Sequence, residues 1–186
     1  MARGDEDRTT VRRPAVEDAE GLADLHVRAW QVAYRGMIPD SYLDSLPIEI
    51  ESRTERWRMR IAQPDPTELV TLVAEIDGSL VGWVTAGENR DDDVTDENTG
   101  EIWGIYVDPE HWRRRVGSVL MERAIEELAT AGYTEATLWV LEENRRARRF
   151  YERWGWRPDG GTDWFERDGW RAIEIRYRLP LGDTLP

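Results

Sequence analysis

A cluster of positive charge lies where a loop enters a predicted helix, in the stretch PEHWRRRVGSVLM at residues 109–121. The first N–H groups of a helix have no acceptor within the helix, and they lie at the positive end of its dipole. Backbone in this position can wrap a phosphate, and Gly117 allows a ligand to approach the main chain closely. The stretch favours an anion site, although a solvated surface turn is the simpler alternative.

The charge of the whole chain is opposite to that of this loop. Its 186 residues include 25 basic and 38 acidic side chains, which give a formal net charge of -13, and every basic side chain is arginine. A negative field disfavours non-specific nucleic-acid binding. We therefore expect no nucleic-acid partner, and RNA binding by the arginines of residues 113–115 and 145–149 is kept as an alternative.

The scarcity of histidine and the lack of cysteine limit the chemistry available to this chain. The chain has no cysteine, so disulfides, thiolate metal sites and a cysteine nucleophile are excluded, and with only His26 and His111 we predict no metal site. No run approaches the ~18 apolar residues of a membrane helix. The first residues lack the apolar stretch of a signal peptide. We expect a cytoplasmic protein that does not associate with membranes.

Two Asp-Gly pairs predict hairpins. Asp77-Gly78 and Asp168-Gly169 each lie between two strand-like runs, which is a strong signal for a two-residue turn. A strand–helix–strand unit over residues 101–140 implies one parallel pair of strands. The chain is therefore expected to form a mixed sheet of the α/β (α+β) class.

The hydrophobic pattern is continuous and shows no linker. We expect a single domain over residues 10–180, with a flexible N-terminus at residues 1–9 and a C-terminal tail at residues 181–186. The strongly acidic loop at residues 88–100 is expected to be mobile and solvated.

Helical spacing recurs in five segments. In the first of them, Leu22, Leu25, Ala29 and Val32 are predicted to form the buried face. The five segments are residues 16–37, 41–46, 49–62, 116–130 and 144–156.

A second pattern carries a family resemblance. Asn144, Ala147, Phe150, Tyr151 and Gly155 have the spacing Asn-x-x-Ala-x-x-Phe-Tyr-x-x-x-Gly. With the strand ending in YVDPE and the arginine loop after it, this resembles the GNAT superfamily of acetyl-CoA-dependent N-acetyltransferases. The resemblance spans most of the chain. It implies a GNAT-like fold, with a central sheet of about six to seven strands, a splayed parallel pair and about four flanking helices.

The coenzyme motif departs from the family pattern. When it is aligned on Gly117, Trp112 occupies the usual Gln or Arg position and Arg115 occupies that of the first glycine. An arginine there either crowds the pyrophosphate or pairs with it. The departure keeps a second hypothesis open, in which the chain binds coenzyme A or acetyl-CoA without turnover.

The resemblance implies where acetyl-CoA, the expected co-substrate, binds. The backbone of the arginine loop and of the first helical turn holds the pyrophosphate. The preceding strand pairs with the pantetheine arm, and the N–H of Ile105 polarises the acetyl carbonyl. Asn144 caps its helix and contacts the coenzyme. The implied coenzyme-binding residues are Ile105, Tyr106, Val107, Arg113, Arg114, Arg115, Val116, Gly117, Ser118, Asn144, Ala147 and Tyr151.

Two catalytic side chains are implied as well. Glu101, which begins the strand before the arginine loop, is expected to take the proton of the amine directly or through water, unless it is an exposed carboxylate at a strand edge. Asp96 and Glu97 are further candidates. A phenol and a thiol have similar pKa values, so Tyr151 is the candidate acid for the leaving thiolate. Its alternative role is core packing beside Phe150.

The acceptor side has a stripe of three rings. His26, Trp30 and Tyr34 recur every four residues beside the apolar face of the first helix. They either shape an amine pocket through cation–π contacts or only pack. We expect the acceptor to be a primary amine of a small molecule or peptide, which attacks acetyl-CoA directly in a ternary complex. The chain is expected to be a monomer or a homodimer.

Overall fold

The computed structural model describes residues 9–182, so the N-terminus expected to be flexible lies, apart from Thr9, outside the described residues, as does most of the tail. Seven strands form one sheet. They are β1 (Thr10–Arg12), β2 (Glu68–Ile76), β3 (Ser79–Glu88), β4 (Thr99–Val107), β5 (Glu135–Leu141), β6 (Arg157–Arg167) and β7 (Trp170–Pro180). Their order across the sheet is β1-β2-β3-β4-β5-β7-β6. The pair β4 and β5 is parallel, and the other neighbours are antiparallel.

Helices cover both faces of this sheet. The α-helices are α1 (Ala19–Ala33), α2 (Asp40–Ser45), α3 (Ile50–Ala62), α4 (Val116–Thr130) and α5 (Arg145–Arg153). Three short 3₁₀ turns lie at Val16–Asp18, Leu46–Glu49 and Pro109–His111. Helices α4 and α5 pack on one face, and α1, α2 and α3 pack on the other. The predicted mixed sheet between helices is confirmed, with four longer helices and the short α2.

Both predicted hairpin turns are present. Asp77 and Gly78 have φ values of 51° and 78°, and Asp168 and Gly169 have 48° and 80°. Two successive positive φ values define the type I′ turn, whose twist matches that of the adjoining strands.

The buried face of α1 differs from the prediction at one residue. Leu22, Leu25 and Ala29 are buried as expected, but Val32 is 52% exposed. The bulky Trp30 is buried in its place. The contact surface therefore turns toward the side of the helix that faces β4, where Trp30 lies near Tyr106.

Strand β4 has a bulge that separates it from β5. Its register against β3 shifts between Ile102 and Gly104, which leaves Trp103 as the extra residue. The parallel pairing with β5 runs from Thr99 to Ile102 and ends there. The splayed pair implied by the family resemblance is thus present, and it opens a gap in the middle of the sheet.

The acidic loop is attached to the sheet rather than solvated along its length. The guanidinium of Arg176, whose side chain is only 8% exposed, forms ion pairs with Asp91 (3.1 Å), Asp93 (2.6 Å) and Asp159 (2.8 Å). Asp91 also accepts a hydrogen bond from the indole of Trp139. A buried cation needs carboxylate partners, so the loop is attached to the sheet at Asp91 and Asp93, while most of its side chains are exposed as expected.

Candidate active site

The open edge of β4 carries backbone groups that do not pair with β3. The Asp108 N–H donates to the carbonyl of Val81 at 2.9 Å. Since hydrogen-bonded residues alternate along an antiparallel pair, Tyr106 also pairs with β3, whereas Ile105 and Val107 direct their backbone groups into the gap. The structure therefore gives these two residues the orientation that the family resemblance implied.

Trp112 stands where the family pattern usually has Gln or Arg, and two contacts hold its side chain in place. Its indole N–H donates to the carbonyl of Val107 at 2.9 Å. The guanidinium of Arg146 lies over its ring at 3.0 Å from the centroid. The side chain thus closes the loop onto the end of β4, and it leaves the N–H of Val107 free.

Helix α4 begins with the backbone expected of an anion site. Its first intrahelical bond links the Val119 N–H to the Arg115 carbonyl at 3.0 Å. The N–H groups of Val116, Gly117 and Ser118 precede that bond and have no acceptor within the helix. Arg115, the residue before the helix, makes no capping bond with its side chain.

Arg115 adopts the conformation for which glycine is usually needed. Its φ is 66°, and that of Arg113 is 65°. Both side chains are exposed, and within residues 9–182 neither forms a hydrogen bond or ion pair. The arginine therefore keeps the glycine-like backbone at some cost in strain, and its guanidinium is available to a ligand.

Gly117 is not required by the surrounding protein. A Cβ at this position would lie 3.5 Å from Val107 and 3.6 Å from Phe150, which is ordinary contact. A side chain as small as alanine would therefore fit here without displacing its neighbours. Free N–H groups, exposed guanidinium groups and a helix dipole together fit a pyrophosphate.

Asn144 and Tyr151 connect α5 to the gap. The side-chain oxygen of Asn144 accepts a hydrogen bond from the Ala147 N–H at 3.1 Å and caps the helix. Tyr151 is 8% exposed and belongs to the core, yet it also lines the cleft described below. Burial raises the pKa of its phenol well above the usual range. Its two predicted roles, packing and facing the cleft, are therefore compatible.

The gap opens into a cleft of about 490 Å³, a normal size for a ligand site. The cleft brings together most of the predicted site residues, and the residues of the α4 N-terminus lie outside its lining. The predicted residues that line it are His26, Trp30, Tyr34, Glu101, Ile105, Tyr106, Val107, Asn144, Ala147 and Tyr151.

Glu101 is buried, not exposed at a strand edge. One carboxylate oxygen accepts from the backbone N–H and Nε of Arg90 at 3.0 and 3.1 Å, and the other accepts from Nη2 at 2.6 Å. The Arg90 guanidinium in turn lies over the Trp103 ring. Glu101 is thus a buried carboxylate that lines the cleft and is held by one arginine.

Glu174 is a second carboxylate of the cleft, and the sequence analysis missed it. It pairs with Leu141 across β5 and β7 and lines the cleft. Burial first, and then the charges of Asp163 and Glu101, raise its pKa to about 7. Within residues 9–182 it has no ion-pair partner. The alternation of Glu174 and Arg176 with apolar neighbours could have indicated a polar face, but not that this face lines a cleft.

The three-ring stripe of α1 packs around Tyr106. The ring centroids of His26 and Trp30 are 5.4 Å apart, and those of Trp30 and Tyr34 are 5.0 Å apart. The Tyr34 and Tyr106 hydroxyls are 3.2 Å apart. From the last hairpin, Phe165 lies 6.1 Å from Trp30 and forms the opposite wall.

Comparison with known families fits this geometry. Residues 26–156, more than half of the chain, match the Acetyltransferase (GNAT) family. The chain belongs to this family. It is accordingly an acyltransferase, and the matched region contains the open β4 edge, the α4 N-terminus and Tyr151.

Relatives and solved structures agree with that placement. The uncharacterized N-acetyltransferase YuaI of Bacillus subtilis is 29% identical over 172 residues, 92% of each chain. An uncharacterized N-acetyltransferase of Archaeoglobus fulgidus is 40% identical over 134 residues, which cover 72% of this chain and 85% of that one. The PaiA N-acetyltransferase of Thermoplasma acidophilum, solved with coenzyme A, has the same fold, with a TM-score of 0.67, 21% identity and coverage of 93% and 99%.

Two other features are absent from the described part of the chain. Within residues 9–182 no group of three or more His, Asp or Glu side chains is placed to hold a metal ion. No helix in that range is long and apolar enough to cross a membrane.

Arg115→Gly is expected to change stability and coenzyme binding in opposite directions. Relief of the positive φ should raise the free energy of unfolding by about 0.5 kcal/mol. Loss of the guanidinium should weaken coenzyme A binding by about two- to fivefold. Urea unfolding and calorimetric titration measure the two effects.

Arg114→Gly is the matched control, because Arg114 does not have a positive φ. This variant should lose stability, since glycine adds freedom to the unfolded chain and the interaction of the Arg114 side chain is lost. Equal destabilisation by the two glycine variants would contradict the interpretation of Arg115.

Proposed function

We propose that the chain transfers the acetyl group of acetyl-CoA to a primary amine of a small molecule or peptide, by direct attack in a ternary complex. One observation carries this proposal. The free edge of β4, a tyrosine and two carboxylates face a single cleft, whose lining includes Val107 and Trp112 from the segment that precedes α4. Membership in the GNAT family, and a fold shared with a protein solved with coenzyme A, support it.

The coenzyme is assigned to the α4 end of the cleft. The N–H groups of residues 116–118, with the exposed guanidinium groups of Arg113 and Arg115, would hold the pyrophosphate. The backbone of Ile105 and Val107 would pair with the pantetheine amides. This places the thioester carbonyl against the Ile105 N–H, where a fixed donor stabilises the negative charge that develops on oxygen.

The acceptor amine must lose a proton in the reaction, and Glu174 is the better placed base. A base works best when its pKa lies near the operating pH, and the pKa of Glu174 is raised to about 7. Glu101 already accepts three hydrogen bonds from Arg90. We assign proton removal to Glu174. Glu101 holds the loop that contains Arg90, and it contributes to the negative field that attracts an ammonium group.

The bonds then change as follows. The amine nitrogen forms a bond to the acetyl carbon, the carbon–sulfur bond breaks with its electrons on sulfur, and one proton passes from nitrogen to the base. Tyr151 donates its hydroxyl hydrogen to the leaving sulfur. Burial raises the pKa of the phenol. It also raises the pKa of a thiol in the same place, so the two pKa values stay comparable.

Other features of the proposed function rest on the sequence. A cytoplasmic location, the absence of a metal requirement and of a nucleic-acid partner, and a monomeric or homodimeric state remain predictions.

The pH dependence of kcat/KM should identify the base. In the unmodified chain the rate should rise with pH through about 7, because the Glu174 carboxyl must be deprotonated to act. Glu174→Gln should lower kcat/KM by about 10²–10⁴ and remove this inflection. Glu101→Gln is the matched comparison and should keep the inflection but move it to a lower pH, because the Glu101 charge helps to raise the pKa of Glu174. If Glu101→Gln removes the inflection and Glu174→Gln does not, the assignment of the two carboxylates is reversed.

Release of free thiol from acetyl-CoA tests the function itself. We expect release that depends on an added amine, in a panel of amino acids, peptides, aminoglycosides and polyamines. Tyr151→Phe should lower kcat by about 10²-fold or more while keeping coenzyme affinity. Stabilisation by coenzyme A without thiol release for any acceptor would instead support the non-catalytic binding module.

A further inference from the structure

A second cavity adjoins the cleft on the side away from α4. It has a volume of about 510 Å³ and lies between α3 and the turn of the last hairpin. His26, Trp83 and Arg167 line both cavities, so the two cavities adjoin at these three residues. A molecule that contacts these residues from the acetylation cleft therefore lies beside the second cavity.

The second cavity has an excess of positive charge in a strongly acidic chain. Its lining includes two carboxylates, Glu49 and Asp168, against four guanidinium groups. We call these four residues the arginine pocket: Arg53, Arg56, Arg60 and Arg167.

Arg53 is the most buried member of the arginine pocket and is incompletely paired. The residue is 7% exposed, and among the described residues its buried Nε has no hydrogen-bond partner. Its ion pair with Glu49 is long at 3.3 Å. A buried N–H without an acceptor is costly, and a carboxylate or phosphate oxygen would satisfy it.

Two further guanidinium groups are available to the same ligand. Arg56 bonds to the hydroxyl of Ser52 at 3.3 Å, and Arg167 bonds to the hydroxyl of Tyr42 at 3.5 Å. Neither has a carboxylate partner within residues 9–182. Arg60 differs, because it is already bonded to Glu68 at 2.7 Å.

The positive charges of the arginine pocket affect the pKa of His26. Burial first, and then the positive charges of Arg53, Arg167, Arg56 and Arg60, lower its pKa to about 3. The imidazole is therefore neutral at physiological pH, and within residues 9–182 its buried Nε2 has no hydrogen-bond partner. A cationic group would be repelled here, whereas Glu174, which forms no ion pair in the same range, is the carboxylate that attracts one in the adjoining cleft.

The two cavities together recognise opposite charges. We propose that the acceptor is an amine that also carries an oxyanion group, of the amino acid or short peptide class, and that its carboxylate binds in the arginine pocket. This inference rests on the proposed function, because it names the class of amine that the same site acetylates. The amine enters the cleft beside Glu174, and the carboxylate extends past His26 to Arg53.

Steady-state thiol release should distinguish the charges of the acceptor. Amino acids and dipeptides should have a KM at least tenfold lower than that of their C-terminal amides, and polyamines should be poor acceptors. Arg53→Met should raise the KM for the carboxylate acceptor about tenfold or more and leave the KM for acetyl-CoA unchanged. Phosphate-bearing amines in the panel show whether the pocket prefers a phosphate to a carboxylate. Equal KM values for acids and amides, or a preference for polyamines, would overturn the inference while leaving the acetyltransferase proposal intact.

One further variant serves as a control, and a double variant serves as a replacement for Arg53→Met. Arg58 lies on the same helix, is half exposed and pairs with Glu55, so Arg58→Met should change neither KM. If the buried Arg53 variant does not fold, the exposed pair Arg56→Met with Arg167→Met replaces it, with the same expected loss.

A binding measurement covers the case in which no acceptor is turned over. N-acetylalanine, a product-like carboxylate, should stabilise the chain in the presence of coenzyme A, and N-acetylalanine amide should not. The Arg56→Met and Arg167→Met double variant should lose the difference. No difference between the two compounds in the unmodified chain contradicts the arginine pocket, whereas a difference without turnover contradicts only the proposed catalysis.

Discussion

The constraint on which the site depends is the divergence of two parallel strands in the middle of a sheet. Strands β4 and β5 pair only as far as Ile102 and Leu138. Beyond that point the backbone groups of Ile105 and Val107 face a gap rather than a strand, and buried backbone groups require partners. The bulge at Trp103 sets where the gap begins. A ligand with its own amides is the natural partner for such an edge, which is why the fold suits a pantetheine arm.

Charge is distributed around this gap in three zones. The α4 end is positive because of the helix terminus and the exposed guanidinium groups. In the centre, the carboxylates Glu101 and Glu174 share the cleft with three guanidinium groups, and the far side is positive because of Arg53 and its neighbours. In a chain of formal net charge -13, positive zones at both ends of the cleft form a strong local pattern. It matches a phosphate-bearing coenzyme at one end and an acceptor with opposite charges at the other.

The parts of the fold that could be predicted from sequence depend on local interactions. The turns at Asp77-Gly78 and Asp168-Gly169 and the capping role of Asn144 follow from the conformational preferences of single residues. The family resemblance added the splayed strands, which no local pattern indicates.

The features that could not be predicted depend on contacts between distant segments. Glu174 alternates with apolar residues as any strand with one polar face does, and only the closure of the hairpin over α1 makes that face part of a cleft. In the sequence, Arg53 is one polar residue of an amphipathic helix. It is buried in the structure because α1 and the last hairpin lie around it. Arg176 draws the acidic loop onto the sheet, because its burial requires carboxylates from three segments.

Amide hydrogen exchange at β4, measured with and without acetyl-CoA, tests the central claim most directly. The N–H groups of Ile105 and Val107 should become about tenfold more protected when acetyl-CoA binds, because each gains a hydrogen bond. The N–H of Tyr106, which already pairs with β3, should change little. Binding of acetyl-CoA that leaves the exchange of Ile105 and Val107 unchanged would contradict the assignment of the gap as the coenzyme site.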